Sequence, residues 1–219
     1  EEGPSHFDLL GMKRRESLED IRCLKLIKEK MSDFKPEIVF HLAAQPLVRL
    51  SYEDPIYTYE TNVMGSLNVL ESVRSVDSVK AVVMVTTDKC YENKEWEWGY
   101  RENESMGGYD PYSSSKGCAE LLISSYRNSY FNIDNYNKNH NVLVASGRAG
   151  NVIGGGDWSK DRIIPDLIRS ITSNKKLVIR NPYSIRPWQH VLDPLYGYLI
   201  LGKKLIEDST PPTEAFNFG

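Results

Sequence analysis

The run Pro36-Glu37-Ile38-Val39-Phe40-His41-Leu42-Ala43-Ala44 decides the fold class. It is nearly continuous in apolar residues rather than alternating, the pattern of a strand covered on both faces, as in a parallel sheet wrapped by helices. Upstream, Leu24, Ile27 and Met31 recur at helical spacing, Leu18 and Ile21 extend the pattern backwards, and Pro36 marks the passage from helix to strand. Downstream the alternation repeats. Residues 58–73 carry Val63, Leu67, Leu70 and Val73 at helical spacing, and Ala81-Val82-Val83-Met84-Val85-Thr86 follows as a strand. A helix containing Tyr112 then leads to a third strand, Asn141-Val142-Leu143-Val144-Ala145-Ser146. Three such alternations predict an α/β fold with a parallel sheet flanked by helices, whose ligands sit at the carboxyl ends of the strands.

From Asn151 the composition changes. Gly154-Gly155-Gly156-Asp157-Trp158 opens an irregular stretch with Pro, Trp and Arg prominent, which reads as part of a smaller lobe closing over the sheet. The glycine triplet lacks the Gly-x-Gly-x-x-Gly spacing and no helix pattern opens on it, so it reads as a loop rather than a dinucleotide fingerprint. The expected organisation is residues 1–150 as the sheet domain and residues 151–219 as the lobe with a return to the sheet.

With 219 residues, 40% hydrophobic content and 26% charge, the chain can bury a sizeable core. A net charge of -3, with Lys and Arg scattered, argues against nucleic-acid and membrane-surface partners. No apolar run approaches the roughly 18 residues of a membrane span, and Glu1-Glu2-Gly3-Pro4 has no signal-peptide character. Cys23, Cys90 and Cys118 have neither disulfide nor metal-ligand spacing and read as reduced thiols in a cytoplasmic protein. The histidines offer no metal-binding spacing either, and His41 reads as a strand-buried histidine rather than a catalyst.

The chemistry concentrates after the strands. Tyr112 and Lys116 stand four apart at the start of a helix and so share one face. Thr87-Asp88-Lys89 closes the second strand. Tyr-x-x-x-Lys alone arises by chance in many helices, and Asp88-Lys89 alone is an ordinary solvated strand-end pair. Together they place a phenol, an acid and two amines around one cleft, a set suited to moving protons and a hydride on a carbohydrate.

Several further strings occur in order: His41-Leu42-Ala43-Ala44-Gln45-Pro46-Leu47-Val48-Arg49, Thr61-Asn62-Val63-Met64-Gly65, Thr87-Asp88-Lys89-Cys90-Tyr91, Gly147-Arg148-Ala149-Gly150-Asn151-Val152-Ile153-Gly154-Gly155-Gly156-Asp157-Trp158 and Arg186-Pro187-Trp188-Gln189-His190-Val191. With Tyr112 to Lys116, they make the sequence resemble the extended short-chain dehydrogenase/reductase family and, within it, the CDP-glucose 4,6-dehydratases. The resemblance implies a Rossmann-like NAD-binding domain and a homo-oligomer acting on a nucleotide sugar. It also implies that the family's opening strand, Gly-rich turn and helix are absent and that the chain is truncated at both ends. Glu19-Asp20-Ile21-Arg22-Cys23 is similar to the family's Gly-Asp-Ile-Arg-Asp, which would make Leu18 to Arg22 a strand end and start the helix near Cys23.

In such enzymes the sugar is oxidised at C4, water leaves across C5 and C6, and hydride returns to C6. The resemblance gives Tyr112 the proton removal at C4, with Lys116 and the positive nicotinamide bringing the phenol toward the working pH, and Thr87 hydrogen-bonding the same hydroxyl. It gives Lys89 the C5 proton and Asp88 the leaving C6 hydroxyl. The dTDP-glucose dehydratases carry Glu where this chain has Lys89. For NAD it implies Asp20 and Ile21 at the adenine, and Ala43, Ala44 and Gln45 at the ribose and nicotinamide beside Tyr112 and Lys116. For the diphosphate it implies Arg186 and Asn151, with Arg162, Arg180 and Trp158 as weaker candidates, while Trp188 reads as a core residue. No metal is expected. Two rivals stand: a UDP-HexNAc 4,6-dehydratase that inverts C5, which also uses an Asp-Lys pair but places its tyrosine closer to the lysine, and a catalytically silent nucleotide-sugar-binding or assembly protein.

Overall fold

The structure, a computed structural model, describes residues 6–11 and 17–219, so the opening Glu1-Glu2-Gly3-Pro4 lies outside the described residues. After a short helix, α1 (His6–Leu10), the main fold begins at α2 (Leu24–Phe34). Cys23 is its extended N-cap, as the alignment with the family string implies, and Lys35 ends it in the left-handed region at φ 51°. Residues 18–22 form neither a strand end nor a backward extension of the helix. Asp20 prevents both. Its carboxylate accepts from the Arg22 backbone N at 2.9 Å, and its carbonyl accepts from Cys23 N at 3.0 Å. A short acidic side chain bonding its own backbone two residues on favours a turn over a regular element.

The strand β1 (Ile38–His41) is followed by α3 (Val48–Glu53) and α4 (Pro55–Tyr59), which runs through a π-helical turn at Glu60–Met64 into α5 (Gly65–Val73). Next come β2 (Ala81–Thr87), α6 (Pro111–Ser129) and β3 (Leu143–Ala149). The third strand starts two residues later than its apolar run suggests and continues to Ala149, because Gly147, Arg148 and Ala149 pair with Val85, Thr86 and Thr87. An arginine inside a fully buried strand hid that extension from the sequence. The lobe holds β4 (Asn151–Ile153), α7 (Ile163–Thr172) and β5 (Trp188–His190), after which α8 (Leu192–Glu207) leads back to β6 (Ala215–Phe218).

The four main strands form one parallel sheet in the order β1-β2-β3-β6, while β4 and β5 pair separately, Asn151 opposite Trp188. Side chains alternate across the sheet. Val82, Met84 and Val144 pack on one face with Leu70 and Val73 of α5 and Ile123 of α6, and Met31 of α2 joins them. Ala81, Val83, Leu143 and Ala145 pack on the other with Tyr198, Leu201 and Leu205 of α8. Both faces are therefore covered, which explains the continuous apolar runs. Each large aliphatic side chain so buried contributes about 1.5–3 kcal/mol. With the sides covered, the carboxyl ends of β1, β2 and β3 are left to carry the polar residues.

Candidate active site

At the end of β2, Thr87 is extended and its Oγ1 accepts from Lys89 N at 3.4 Å, turning the chain into a single 3-10 turn at Asp88–Cys90. The turn brings three functional side chains together. The Thr87 hydroxyl donates to Asp88 Oδ1 at 2.9 Å, and the Lys89 ammonium donates to Asp88 Oδ1 at 3.4 Å and to Asn151 Oδ1 at 3.1 Å. A hydrogen bond also joins Thr87 to the Tyr112 phenol. Tyr112, Thr87, Asp88, Lys89 and Asn151 thus form one continuous chain of polar contacts.

Helix α6 holds Tyr112 by its first turn. Asp110 is the N-cap, its Oδ1 accepting from Ser113 N at 2.9 Å, and Pro111 fills the first helical position, where a missing N–H costs nothing. Tyr112 N donates to Ser51 Oγ of α3 at 3.1 Å. Ser115 Oγ donates to the Tyr112 carbonyl at 2.7 Å and accepts from Asn62 Nδ2 at 2.9 Å. Asn62 lies in the π-helical turn and grips the end of β1 as well, accepting from Gln45 N at 2.8 Å and donating to Gln45 O at 3.1 Å. One buried amide therefore ties the segment after β1 to the helix that carries Tyr112. Sequence reasoning gave Asn62 no role; the signal was an amide within an apolar helical pattern.

Tyr112 and Lys116 lie one turn apart on the buried face of α6, 8% and 7% exposed. Burial pushes the phenol up to about 12, against the hydrogen bond from Thr87 that lowers it. Burial also brings the Lys116 amine down to about 8, against the nearby Glu120 carboxylate that raises it. In the ligand-free chain, loss of solvent outweighs the neighbouring charges for both groups, whereas the expected effect of Lys116 on the phenol acts together with a positive nicotinamide. His41, as expected, is buried, and desolvation followed by the Lys116 charge holds its imidazole down at about 4.

The residues implied for a dinucleotide fall into two groups. Asp20 and Ile21 sit in a turn fixed to α5, where Asn68 Nδ2 donates to the carbonyls of Ile21 and Arg22 at 2.9 Å each. Gly65 packs so closely beneath that turn that a Cβ there would lie 2.5 Å from Ile21 Cδ1. Asp20 is exposed, with Arg22 on its carboxylate. At the β1 end, Ala43 is exposed and Ala44 half-buried, a ledge with no side chain beyond Cβ. Gln45 faces inward, donating to Thr58 Oγ1 at 2.8 Å and accepting from Leu47 N at 2.5 Å, so its side chain serves the scaffold.

A cavity of about 940 Å³ runs between the sheet ends and the lobe. Thr87, Lys89, Tyr112, Asn151, Arg162, Arg180 and Arg186 all line it, and Trp158 does not. Trp188 lines it too and is 45% exposed, which corrects its reading as a core residue: β5 is a ribbon strand at the cavity wall and not part of the main sheet. Arg162 donates to Asp157 at 2.8 Å, and Arg180 is paired with Asp161, whereas Arg186 donates only to its neighbour's carbonyl and has no acidic partner among the described residues. Sequence reasoning missed Arg49, which reaches from α3 to Asp161 at 3.2 Å, and Lys160, both on the cavity wall. Two arginines sharing one carboxylate leave net positive charge at the rim, suited to a ligand with several negative oxygens.

The family model described as GDP-mannose 4,6 dehydratase matches residues 15–209. The CDP-glucose 4,6-dehydratase of Salmonella typhimurium is 58% identical over 218 residues, covering 99% of this chain and 60% of that protein. The dTDP-D-glucose 4,6-dehydratase of Dictyostelium discoideum is 30% identical over 170 residues, covering 73% of this chain and 36% of the relative. Among solved structures, a double mutant of the dTDP-glucose 4,6-dehydratase DesIV from Streptomyces venezuelae, with NAD bound, superimposes with a TM-score of 0.77 at 22% identity, covering 92% of this chain and 56% of that one. The chain thus spans about 60% of the length of the Salmonella relative and less of the others.

Proposed function

The chain belongs to the GDP-mannose 4,6-dehydratase family, and on that footing we propose that the protein is an NAD-dependent lyase converting CDP-glucose to CDP-4-keto-6-deoxyglucose. The observation that carries this reading is the presence of two sets of proton-moving groups beside one cleft: Tyr112 and Lys89 line it, with Lys116 buried one helical turn behind Tyr112 and Asp88 in contact with Lys89. Oxidation and re-reduction at one carbon needs a single set, whereas dehydration needs a second pair to strip a proton and protonate a leaving hydroxyl.

Asp20, Ile21, Ala43, Ala44, Gln45, Tyr112 and Lys116 would hold NAD in residues 1–150, and the alanine ledge and the exposed turn at Asp20 fit its ribose and adenine ends. When bound, NAD supplies a place for the C4 hydride and its later return to C6. Tyr112 takes the C4 hydroxyl proton with Thr87 on the same oxygen, and Lys116 as an ammonium opposes the phenolate charge. The C5 proton, acidified by the new ketone, goes to Lys89, and Asp88 protonates the departing C6 hydroxyl. Both roles become available when Lys89 passes a proton to Asp88 across their 3.4 Å contact, giving a neutral amine and a neutral acid. Elimination then restores the ion pair. Asn151, Arg162, Arg180 and Arg186, within residues 151–219, would hold the diphosphate and sugar. The free thiols suit a cytoplasmic enzyme, and assembly as a homo-oligomer belongs to the same proposal.

The test is a substrate panel of CDP-glucose, dTDP-glucose, UDP-glucose and UDP-N-acetylglucosamine, with products identified by NMR. A 4-keto-6-deoxy product from CDP-glucose is expected. Preference for UDP-N-acetylglucosamine with inversion at C5, or binding without turnover of any of them, would overturn the proposal.

A further inference from the structure

The register of the main sheet carries past its last paired residues. Thr87 of β2 stands opposite Ala149 of β3, so two residues further along each chain Lys89 and Asn151 come together at the cleft wall. Their side chains meet there, Lys89 Nζ donating to Asn151 Oδ1 at 3.1 Å. The contact of Lys89 with Asp88 Oδ1, at 3.4 Å, is longer, so the amide is the nearer of the two anchors on that amine. Asn151 is firmly held itself. Its backbone N donates to Pro187 O at 2.9 Å, and it pairs with Trp188 in the ribbon of β4 and β5. A Cβ on the preceding Gly150 would lie 2.7 Å from Pro187 Cγ and 3.3 Å from Pro187 O, so the missing side chain there lets the two segments close up.

We propose that Asn151 is a positioning residue for the elimination step, its amide oxygen holding Lys89 Nζ at the cleft while the lysine acts as a base. The inference rests on the function given above, in which Lys89 first passes a proton to Asp88. Once that proton has moved, both partners are neutral: the charge attraction between them is gone, and the new Asp88 O–H is needed by the departing hydroxyl. The bond to Asn151 survives the change, because a neutral amine still carries N–H donors and the amide oxygen stays an acceptor. The amide's lack of charge matters as much as its reach. A carboxylate in its place would favour the ammonium form and so oppose the base, whereas an uncharged oxygen opposes it far less. An ammonium can only donate, so the amide turns its oxygen to Lys89 and leaves Nδ2 for the nucleotide sugar, which keeps the substrate contact proposed for the same residue.

The experiment compares native protein with Asn151→Ala, both labelled with ε-13C-lysine, the Lys89 signal being identified by its loss in Lys89→Met. Without ligand, the Lys89 side chain is expected to gain motion in Asn151→Ala, seen as a fall in its 13C relaxation order parameter. In single turnovers at saturating CDP-glucose, nicotinamide reduction is expected to stay near the native rate while elimination falls at least about tenfold, the scale of loss for a misplaced reacting group. Arg186→Ala, which removes a diphosphate candidate with no bond to Lys89, is the control: it should raise KM and leave both the Lys89 motion and the ratio of the two steps as in native protein. Unchanged Lys89 motion in Asn151→Ala would overturn the inference. So would a raised KM with the ratio of the two steps intact, the result expected of a phosphate contact alone. The measurement of motion needs no turnover, so failure of native protein to convert CDP-glucose would count against the proposed function separately.

Discussion

In the proposed reaction Lys89 and Lys116 have opposite requirements, because the first must give up its proton to act as a base and the second must keep its own to stabilise a phenolate. Their surroundings differ accordingly. Lys116 is sealed under Tyr112 with Glu120 behind it, whereas Lys89 is half-buried and bonded to a carboxylate and an amide, the Asp88 carboxylate being able to take its proton. Replacing Lys89 by Met should therefore leave the first hydride transfer intact and block elimination. In a single turnover, reduced nicotinamide should accumulate while product formation falls by at least about a hundredfold, the usual scale for losing a general base. Product formed at the native rate would return Lys89 to the class of solvated strand-end charges. Tyr112→Phe should instead suppress nicotinamide reduction itself with little change in substrate binding, since the ring fills the same space; reduction at the native rate would mean another base. His41 gives a stability prediction. Its imidazole titrates near 4 in the fold and near 6.5 when unfolded, so between those values the unfolded chain binds the extra proton. Stability is then lost as pH falls from 6.5 to 4, by on the order of 3 kcal/mol from this group. In His41→Gln, which keeps a donor toward Ser66, urea denaturation should show a shallower loss over that range. Equal slopes for variant and native protein would contradict the buried neutral imidazole.

Helix α6 is the element on which the site depends, and its position is set by close backbone approach as well as by side chains. A Cβ on Gly117 would lie 2.8 Å from Gly107 O and 3.3 Å from Cys90 O, both in the segment joining β2 to α6. Gly→Ala inside a helix ordinarily stabilises by about 1 kcal/mol. Here the clash is with backbone, so the overpacking cost of about 1–3 kcal/mol wins. Gly117→Ala should thus lower the urea midpoint, and a raised midpoint would show that the segment yields. The Asp110 cap is a milder case: Asp110→Ala should cost about 1 kcal/mol and loosen Tyr112 at the second helical position, reducing kcat more than stability. Much of this element was legible beforehand. Val-rich runs and the Tyr112–Lys116 spacing placed two strands and the helix because covered strands and helical faces leave local periodic marks. The Glu120–Arg148 pair, 28 residues apart, and the Asn62 bridge from Gln45 to Ser115 left none, since each depends on strands and helices meeting in space. The turn at residues 18–22 was misread for the opposite reason, a local side-chain bond overriding an apolar pattern.

At the scale of the whole molecule, a parallel sheet covered on both faces directs its polar residues to one end, and a lobe carrying Asn151, Arg162, Arg180, Arg186 and Trp188 closes a cavity of about 940 Å³ over them. The resemblance implies Asn151 and Arg186 for the diphosphate, with Arg162 and Arg180 as weaker candidates. Trp188 reads from the sequence as a core residue, because an aromatic next to a proline gives no sign of which of two sheets its strand will join. In the proposed function the sheet ends carry the proton and hydride chemistry and the segment after Asn151 holds the anionic nucleotide, with dehydration as the outcome. That outcome is tested most directly by turnover of CDP-glucose by the native protein in heavy water, with the product analysed by mass spectrometry and NMR. A 4-keto-6-deoxy sugar carrying one solvent-derived deuterium at C5 is expected, because the proton removed there is exchanged before a new one is added. A sugar that keeps its C6 hydroxyl, or a 6-deoxy product with no deuterium at C5, would contradict it.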